Sequence, residues 1–306
     1  MPTYLRSYPP LLSLSIYEGF VFNVLSFPKY FKQRQCLFLK YRICSLIMPE
    51  PLQSSNPLIY CIGDSHSSFF SGVDRMQPKW PARAEACLSL FKVFRIGPSL
   101  AYNLAIEGSR TKGRERLFEV LDTEVPKGSY VMLIFGEIDC RAHVINQASR
   151  RSITVEDVVT SLVKAYSGVI DEVRALGYKV IVYNAIPSKR KPPAKSSRDV
   201  DHVAVGTCLE RNRITKLFNQ YLCDYCEQNE IHFLDVFDSL VDSKGLTDTW
   251  YYLDSIHLSQ RAMPIVLDRI SKMLPGCVVP DSKVVAPTVI DRLADRLYRK
   301  IKMLRR

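Results

Sequence analysis

Three short stretches carry side chains suited to acyl-transfer chemistry. "IYCIGDSHSS" (59–68) ends an apolar run on Gly63 and then presents Asp64, Ser65 and His66. "FGEIDCR" (135–141) follows a second apolar run with Gly136, Glu137, Asp139 and Arg141. "YYLDSIHLS" (251–259) sets Asp254 and His257 three residues apart. A serine becomes a nucleophile when a base takes its proton, and an imidazole serves as that base when a third group fixes its tautomer. Ser65, His257 and Asp254 supply the three parts. Each has a plainer reading by itself: a serine after a strand is usually a helix cap, and D-x-x-H recurs by chance.

Their joint meaning depends on the elements that carry them. From residue 57 the chain alternates β-rich runs with amphipathic stretches, the pattern of a parallel sheet with crossover helices. The runs 58–63, 91–97, 130–136, 179–186 and 231–237 read as strands. Helical periodicity covers 99–106, 112–122, 155–176, 207–229 and 259–274, with Thr154 as an N-cap and Gly177 as a stop for the third. Ligands of such sheets lie beyond the carboxyl ends of the strands. There stand Asp64, Ser65 and His66 after the first strand, Gly97 after the second, Gly136 to Arg141 after the third and Asn184 near the end of the fourth; Asp254 and His257 precede the last helix.

Together these blocks resemble the SGNH, or GDSL-like, hydrolase family. Gly63-Asp64-Ser65 matches its first block, Gly97 in "RIGPS" the glycine of its second, and Asp254 with His257 the Asp-x-x-His of its fifth. Its third block is Gly-x-Asn-Asp, and the chain has Gly136-Glu137-Ile138-Asp139. "FGEIDCR" is also similar to an SGNH subgroup with a GEID variant of that block, from bacterial surface-polysaccharide settings. The resemblance covers about residues 57–275. The α/β-hydrolase elbow G-x-S-x-G fits less well, because Ser67 stands at its last glycine.

The resemblance implies a flavodoxin-like SGNH fold, a three-layer α/β/α sandwich on a five-stranded, mainly parallel sheet. It implies a serine esterase without metal or cofactor that removes an O-acyl (acetyl) group from a carbohydrate or other small ester. Ser65 would be the nucleophile, His257 the base and Asp254 its orienting acid, with the Ser65 and Gly97 N–H groups in the oxyanion hole. Ile138 stands where the family places an Asn donor, and losing one such donor typically costs about 10²–10³ in rate. Asn103, Asn184 and Arg141 are substitutes by position. Asp64, His66, Gly136, Glu137 and Asp139 complete the expected site. An O-acyltransferase shares the first half-reaction, and a non-catalytic glycan-binding module is the reading that Ile138 favours.

Composition sets the remaining bounds. The 306 residues are 47% hydrophobic and 24% charged, as in globular proteins. The formal charge of +11 sits at the ends: residues 1–47 hold six Lys/Arg to one acid, residues 283–306 hold eight to two, and the span between is neutral. A nucleic-acid partner is therefore not expected of the central domain. The sequence divides into an N-terminal extension (1–56), a hydrolase-like domain (57–276) and a basic amphipathic tail (277–306), whose residues 283–306 suit peripheral membrane or protein contact. The stretch "LLSLSIYEGFVFNVLSF" is interrupted by Glu18, Gly19 and Asn23 and reads as neither a membrane span nor a signal peptide. Nine cysteines without framework spacing read as reduced thiols in a cytoplasmic setting, Cys223 and Cys226 among them as helix thiols and not metal ligands. His143, His202 and His232 read as structural, and no dinucleotide, P-loop or H-E-x-x-H motif is present.

Overall fold

A computed structural model of the chain describes residues 57–188 and 203–279, with Ile290 and Leu293. The N-terminal extension, most of the connection 188–205 and nearly all of the basic tail lie outside the described residues.

Five strands form one sheet: β1 (Ile59–Gly63), β2 (Phe91–Arg95), β3 (Tyr130–Ile134), β4 (Lys179–Tyr183) and β5 (His232–Leu234). Their order is β2-β1-β3-β4-β5, and every pair is parallel. Side chains alternate strictly across it. Tyr60, Ile62, Val131, Leu133, Val180 and Val182 face one core; Ile59, Cys61, Met132, Ile134, Ile181 and Tyr183 face the other. Burial on both faces explains why these strands read as continuous apolar runs.

The first core is closed by helices α1 (Gly113–Glu124), α3 (Val155–Ala175) and α4 (Cys208–Gln228), and the second by α5 (Met263–Met273). Short α2 (Val144–Arg151) leads into α3. Capping boxes start the two long helices, Thr154 with Asp157 and Thr207 with Glu210, and Gly177 takes φ +88° just after α3. Cys226 is buried and Cys223 half-buried on α4, and the described cysteines are free thiols.

The strands are shorter than the apolar runs suggest, because each run continues into the turn beyond the carboxyl edge. Gly63, Arg95, Ile134 and Tyr183 are aligned in register, so residues 64, 96, 135 and 184 leave the sheet side by side. The expected helix at 99–106 is only a 3-10 turn, Tyr102–Ala105. Conversely, Ser65–Ser71 forms a 3-10 turn and Asp139–His143 a π-type turn that the strand-and-helix pattern did not anticipate. The chain steps from β1 to β2 on one side and returns to β3 on the other, so Ser65 stands at the switch point where open parallel sheets bind ligands.

Candidate active site

The position of Ser65 is set by what surrounds Gly63. A Cβ there would lie 2.5 Å from the Ile134 carbonyl oxygen, so only glycine lets β1 lie this close to β3 at its end. Asp64 then caps the 3-10 turn, its Oδ1 accepting from His66 N–H at 2.8 Å. Between Cys61 and Phe70 only Ser65 is not buried. Asp64 is fully buried; burial raises its carboxyl above the usual range against the pull of His66, and Oδ2 has no partner among the described residues.

Asp254 and His257 sit in a tight hairpin closed by the Tyr252–Leu258 bridge and by Leu253 N–H donating to His257 C=O at 2.9 Å. Asp254 Oδ1 accepts from the N–H groups of Ile256 (2.7 Å) and His257 (2.8 Å), and Oδ2 lies 2.8 Å from His257 Nδ1. A carboxylate at Nδ1 places the proton there and leaves Nε2 to accept. Nε2 lies 3.0 Å from Ser65 Oγ. Burial opposes the Asp254 charge, but the hydrogen bonds and charge of His257 hold the carboxyl well below the usual range. The hairpin is fastened to the turn that carries Ser65, and to Asp74 just after it, by Gln260, whose N–H donates to Asp74 Oδ1 (2.6 Å) and whose Nε2 donates to Phe69 C=O (2.8 Å). Tyr252 O–H donates to Pro187 C=O on the other side.

A second charged chain abuts the first. His66 Nε2 lies 3.0 Å from Glu137 Oε2, and Arg141 Nε donates to Glu137 Oε1 at 2.7 Å. The π-type turn places Glu137 and Arg141 on one side, four residues apart. Burial resists the Glu137 charge, yet Arg141 and His66 hold its pKa at about 2. For His66 burial disfavours the cation, but Asp64 and Glu137 outweigh it and raise the pKa. The rings of His66 and His257 are 5.2 Å apart. Asp139 ties the third loop to the second, accepting from Ala101 N–H (2.8 Å) and Tyr102 N–H (3.3 Å); its burial pushes its pKa up to about 7 against those donors.

The expected oxyanion residues separate. Gly97 follows β2 with φ +106°, flanked by the side chains of Lys79 and Arg116. Gly136 has the same φ and lies against the Phe218 ring. Asn184 is 1% exposed and braces the ends of β4 and β5: Oδ1 accepts from Val236 N–H (3.0 Å) and Nδ2 donates to Ala185 C=O (2.9 Å). Its amide is thus engaged with backbone. Asn103 lines a different groove from the one that holds Ser65, and Arg141 is occupied with Glu137. Ile138 is buried and does not line the Ser65 pocket.

That pocket is small, about 40 Å³, lined beside Ser65, Asp254 and His257 by Phe69, Met76, Tyr183, Ile186 and Leu253. Tyr183 was not anticipated, although as the last residue of β4 it belongs to the edge that carries the rest of the site. It is 2% exposed, and its hydroxyl has no partner among the described residues.

A family model matches residues 61–263, about two thirds of the chain and all of the loops just described. The chain belongs to the GDSL-like Lipase/Acylhydrolase family. Members of this family are ester-bond hydrolases, and an accessible serine, imidazole and carboxylate in series are what that chemistry needs. No curated protein matches the sequence. Solved structures similar to it include a mutant of Axe2, an acetyl-xylooligosaccharide esterase from Geobacillus Stearmophilus (14% identity, 75% of this chain and 98% of that one, TM-score 0.44). Others are an acetyl xylan esterase, AlAXEase (12%, 70% and 98%, TM-score 0.41), and a GDSL-like lipase from Bacteroides thetaiotaomicron (13%, 77% and 94%, TM-score 0.40).

Proposed function

We propose that this GDSL-like protein is a serine esterase that removes a short O-acyl group, with a carbohydrate as the alcohol. The observation that carries it is the continuous chain from Asp254 through His257 to Ser65, at 2.8 and 3.0 Å. Ser65 Oγ attacks the ester carbonyl as its proton passes to His257 Nε2. The C–O bond to the alcohol then breaks, and His257 returns the proton to the departing oxygen. Water, deprotonated by the same imidazole, attacks the acyl-serine and releases the acid. Asp254 holds Nδ1–H and stabilises the imidazolium throughout.

The size of the pocket selects the acyl group. Its 40 Å³ admits about three water-sized groups, which suits an acetyl. For the oxyanion, the Ser65 and Gly97 N–H groups are two donors, and the Tyr183 hydroxyl takes the place of the missing Asn. A buried hydroxyl without a partner is costly unless a ligand completes it, and Tyr183 is among the residues that line the pocket that holds Ser65. The carbohydrate alcohol rests on the resemblance carried by residues 135–141.

The test is hydrolysis of p-nitrophenyl acetate and an acetylated xylo-oligosaccharide by the wild type, Ser65→Ala and His257→Ala, with fluorophosphonate labelling alongside. Activity and labelling in the wild type, lost in both variants, are expected. Equal background from all three proteins with no labelling would leave a non-catalytic binding module as the better reading.

A further inference from the structure

Beyond the loop that Asp139 anchors, the carboxyl edge holds a second groove, separate from the Ser65 pocket and larger. It has two contiguous parts, of about 440 and 190 Å³, which share Leu100, Asn103, His143 and Gln147. Among the described residues three cations border it: Arg110 from the loop after β2, and Arg150 and Arg151 from the end of α2. Asn103, Gln147 and His143 line both parts, and Tyr102, 45% exposed, lines the smaller one.

Three observations mark this as more than a solvated face. The central span of the chain is neutral, so a groove bordered by three arginines is a local segregation of charge. Among the described residues neither Arg150 nor Arg151 makes an ion pair. The carboxylate that acts on Arg151, Asp157, is itself held by Thr154 N–H and Oγ1–H. Nor are the arginines needed to finish their helix, because Ser152 N–H already caps the carbonyls of Ala148 and Ser149. Among the described residues the one acid lining the groove, Asp139, has its oxygens on the Ala101 and Tyr102 N–H groups.

We propose that this groove is a subsite for an anionic carbohydrate, in which the arginines pair with a carboxylate or phosphate, the amides meet ring hydroxyls and Tyr102 offers an apolar ring face. Arginine is the side chain best shaped for such anions, and amides supply both donors and acceptors for hydroxyls. The subsite deepens the esterase reading and rests on it for one point only: the bound unit is part of the alcohol whose acyl group reaches Ser65.

Binding is measured by titration calorimetry on full-length Ser65→Ala, so that it does not depend on turnover. The probes are trigalacturonate, glucose 1-phosphate and neutral xylotriose. One charged probe should bind more tightly than xylotriose, weaken as salt rises, and lose at least about tenfold in affinity in Ser65→Ala/Arg150→Ala/Arg151→Ala. Which charged probe binds separates a carboxylated glycan from a sugar phosphate. Both arginines are exposed, and thermal melts of the variant confirm that the fold is kept. No binding of either charged probe, equal binding of xylotriose, or unchanged affinity in the arginine variant would overturn the proposal. Failure of the esterase reading shows separately, as absent hydrolysis of p-nitrophenyl acetate by the parent protein.

Discussion

Glu137 lies 3.0 Å from His66 on one side and 2.7 Å from Arg141 on the other, with all three side chains no more than 7% exposed. A buried carboxylate between two basic groups is a fixed charge arrangement: removing its negative charge leaves two basic groups without compensation in low dielectric. It adjoins the Asp254–His257–Ser65 chain because His66 is the residue after Ser65. The loop after β3 therefore supports the position of Ser65 even though Ile138 contributes no donor.

This ion chain should govern acid stability. The Glu137 carboxyl titrates at about 2 in the folded chain, below its ordinary 4.5. A depressed carboxyl stabilises the fold above its unfolded pKa, and that stability is lost as pH falls through the folded pKa. Glu137→Gln should thus be less stable than wild type at pH 7 by on the order of 3 kcal/mol, with the two converging between pH 4.5 and 2. Urea midpoints across that range check it; parallel curves would contradict it.

Asp254→Asn keeps a carbonyl for the Ile256 and His257 N–H groups but cannot accept from Nδ1–H. The hairpin should survive while the tautomer is lost. We expect kcat to fall by about 10³–10⁴ with little change in melting temperature. A loss of only a few-fold would mean that Asp254 does no more than shape the turn.

If the Tyr183 hydroxyl serves the oxyanion, Tyr183→Phe should lower kcat by about 10²-fold and leave KM nearly unchanged. Stability should hold or rise, since an orphan buried hydroxyl is removed. An unchanged kcat would remove Tyr183 from the chemistry.

Restoring the family residue at position 138 should not help. Ile138 is 4% exposed, and an amide there would be buried without an evident partner. Ile138→Asn should cost about 2–3 kcal/mol and give no gain in rate. A faster enzyme would show that the third block still faces the substrate.

Asn184→Ala tests the opposite case, a residue close to the site that braces the strands. Its loss leaves the buried Val236 N–H without a partner. Unfolding free energy should fall by about 1–3 kcal/mol, with kcat on p-nitrophenyl acetate within a few-fold of wild type.

The sheet was legible because both of its faces are buried, so its strands stand out as β-branched runs, and because Thr154 and Gly177 announce their helix. The site was partly legible for a related reason: Gly63-Asp64-Ser65 and Asp254 with His257 are local patterns, each held by hydrogen bonds within a few residues. Residues defined by distant packing were not. Tyr183 enters the pocket through strand register, and the role of Glu137 depends on His66, 71 residues earlier. Asn103 and Asn184 are adjacent to the right loops in sequence, but their side chains line the arginine groove and the strand brace.

The hairpin of Asp254 and His257 assembles from its own six or so residues, whereas Ser65 lies 192 residues upstream. The Asp254–His257 pair is thus a preassembled cartridge, and its seating against Asp74 and Phe69 through Gln260 helps bring it to Ser65. Under the proposed mechanism, turnover reports the meeting of two remote parts of the chain. On that mechanism, a protein folded everywhere else, with that seat loosened by an ångström, would be well structured and inert.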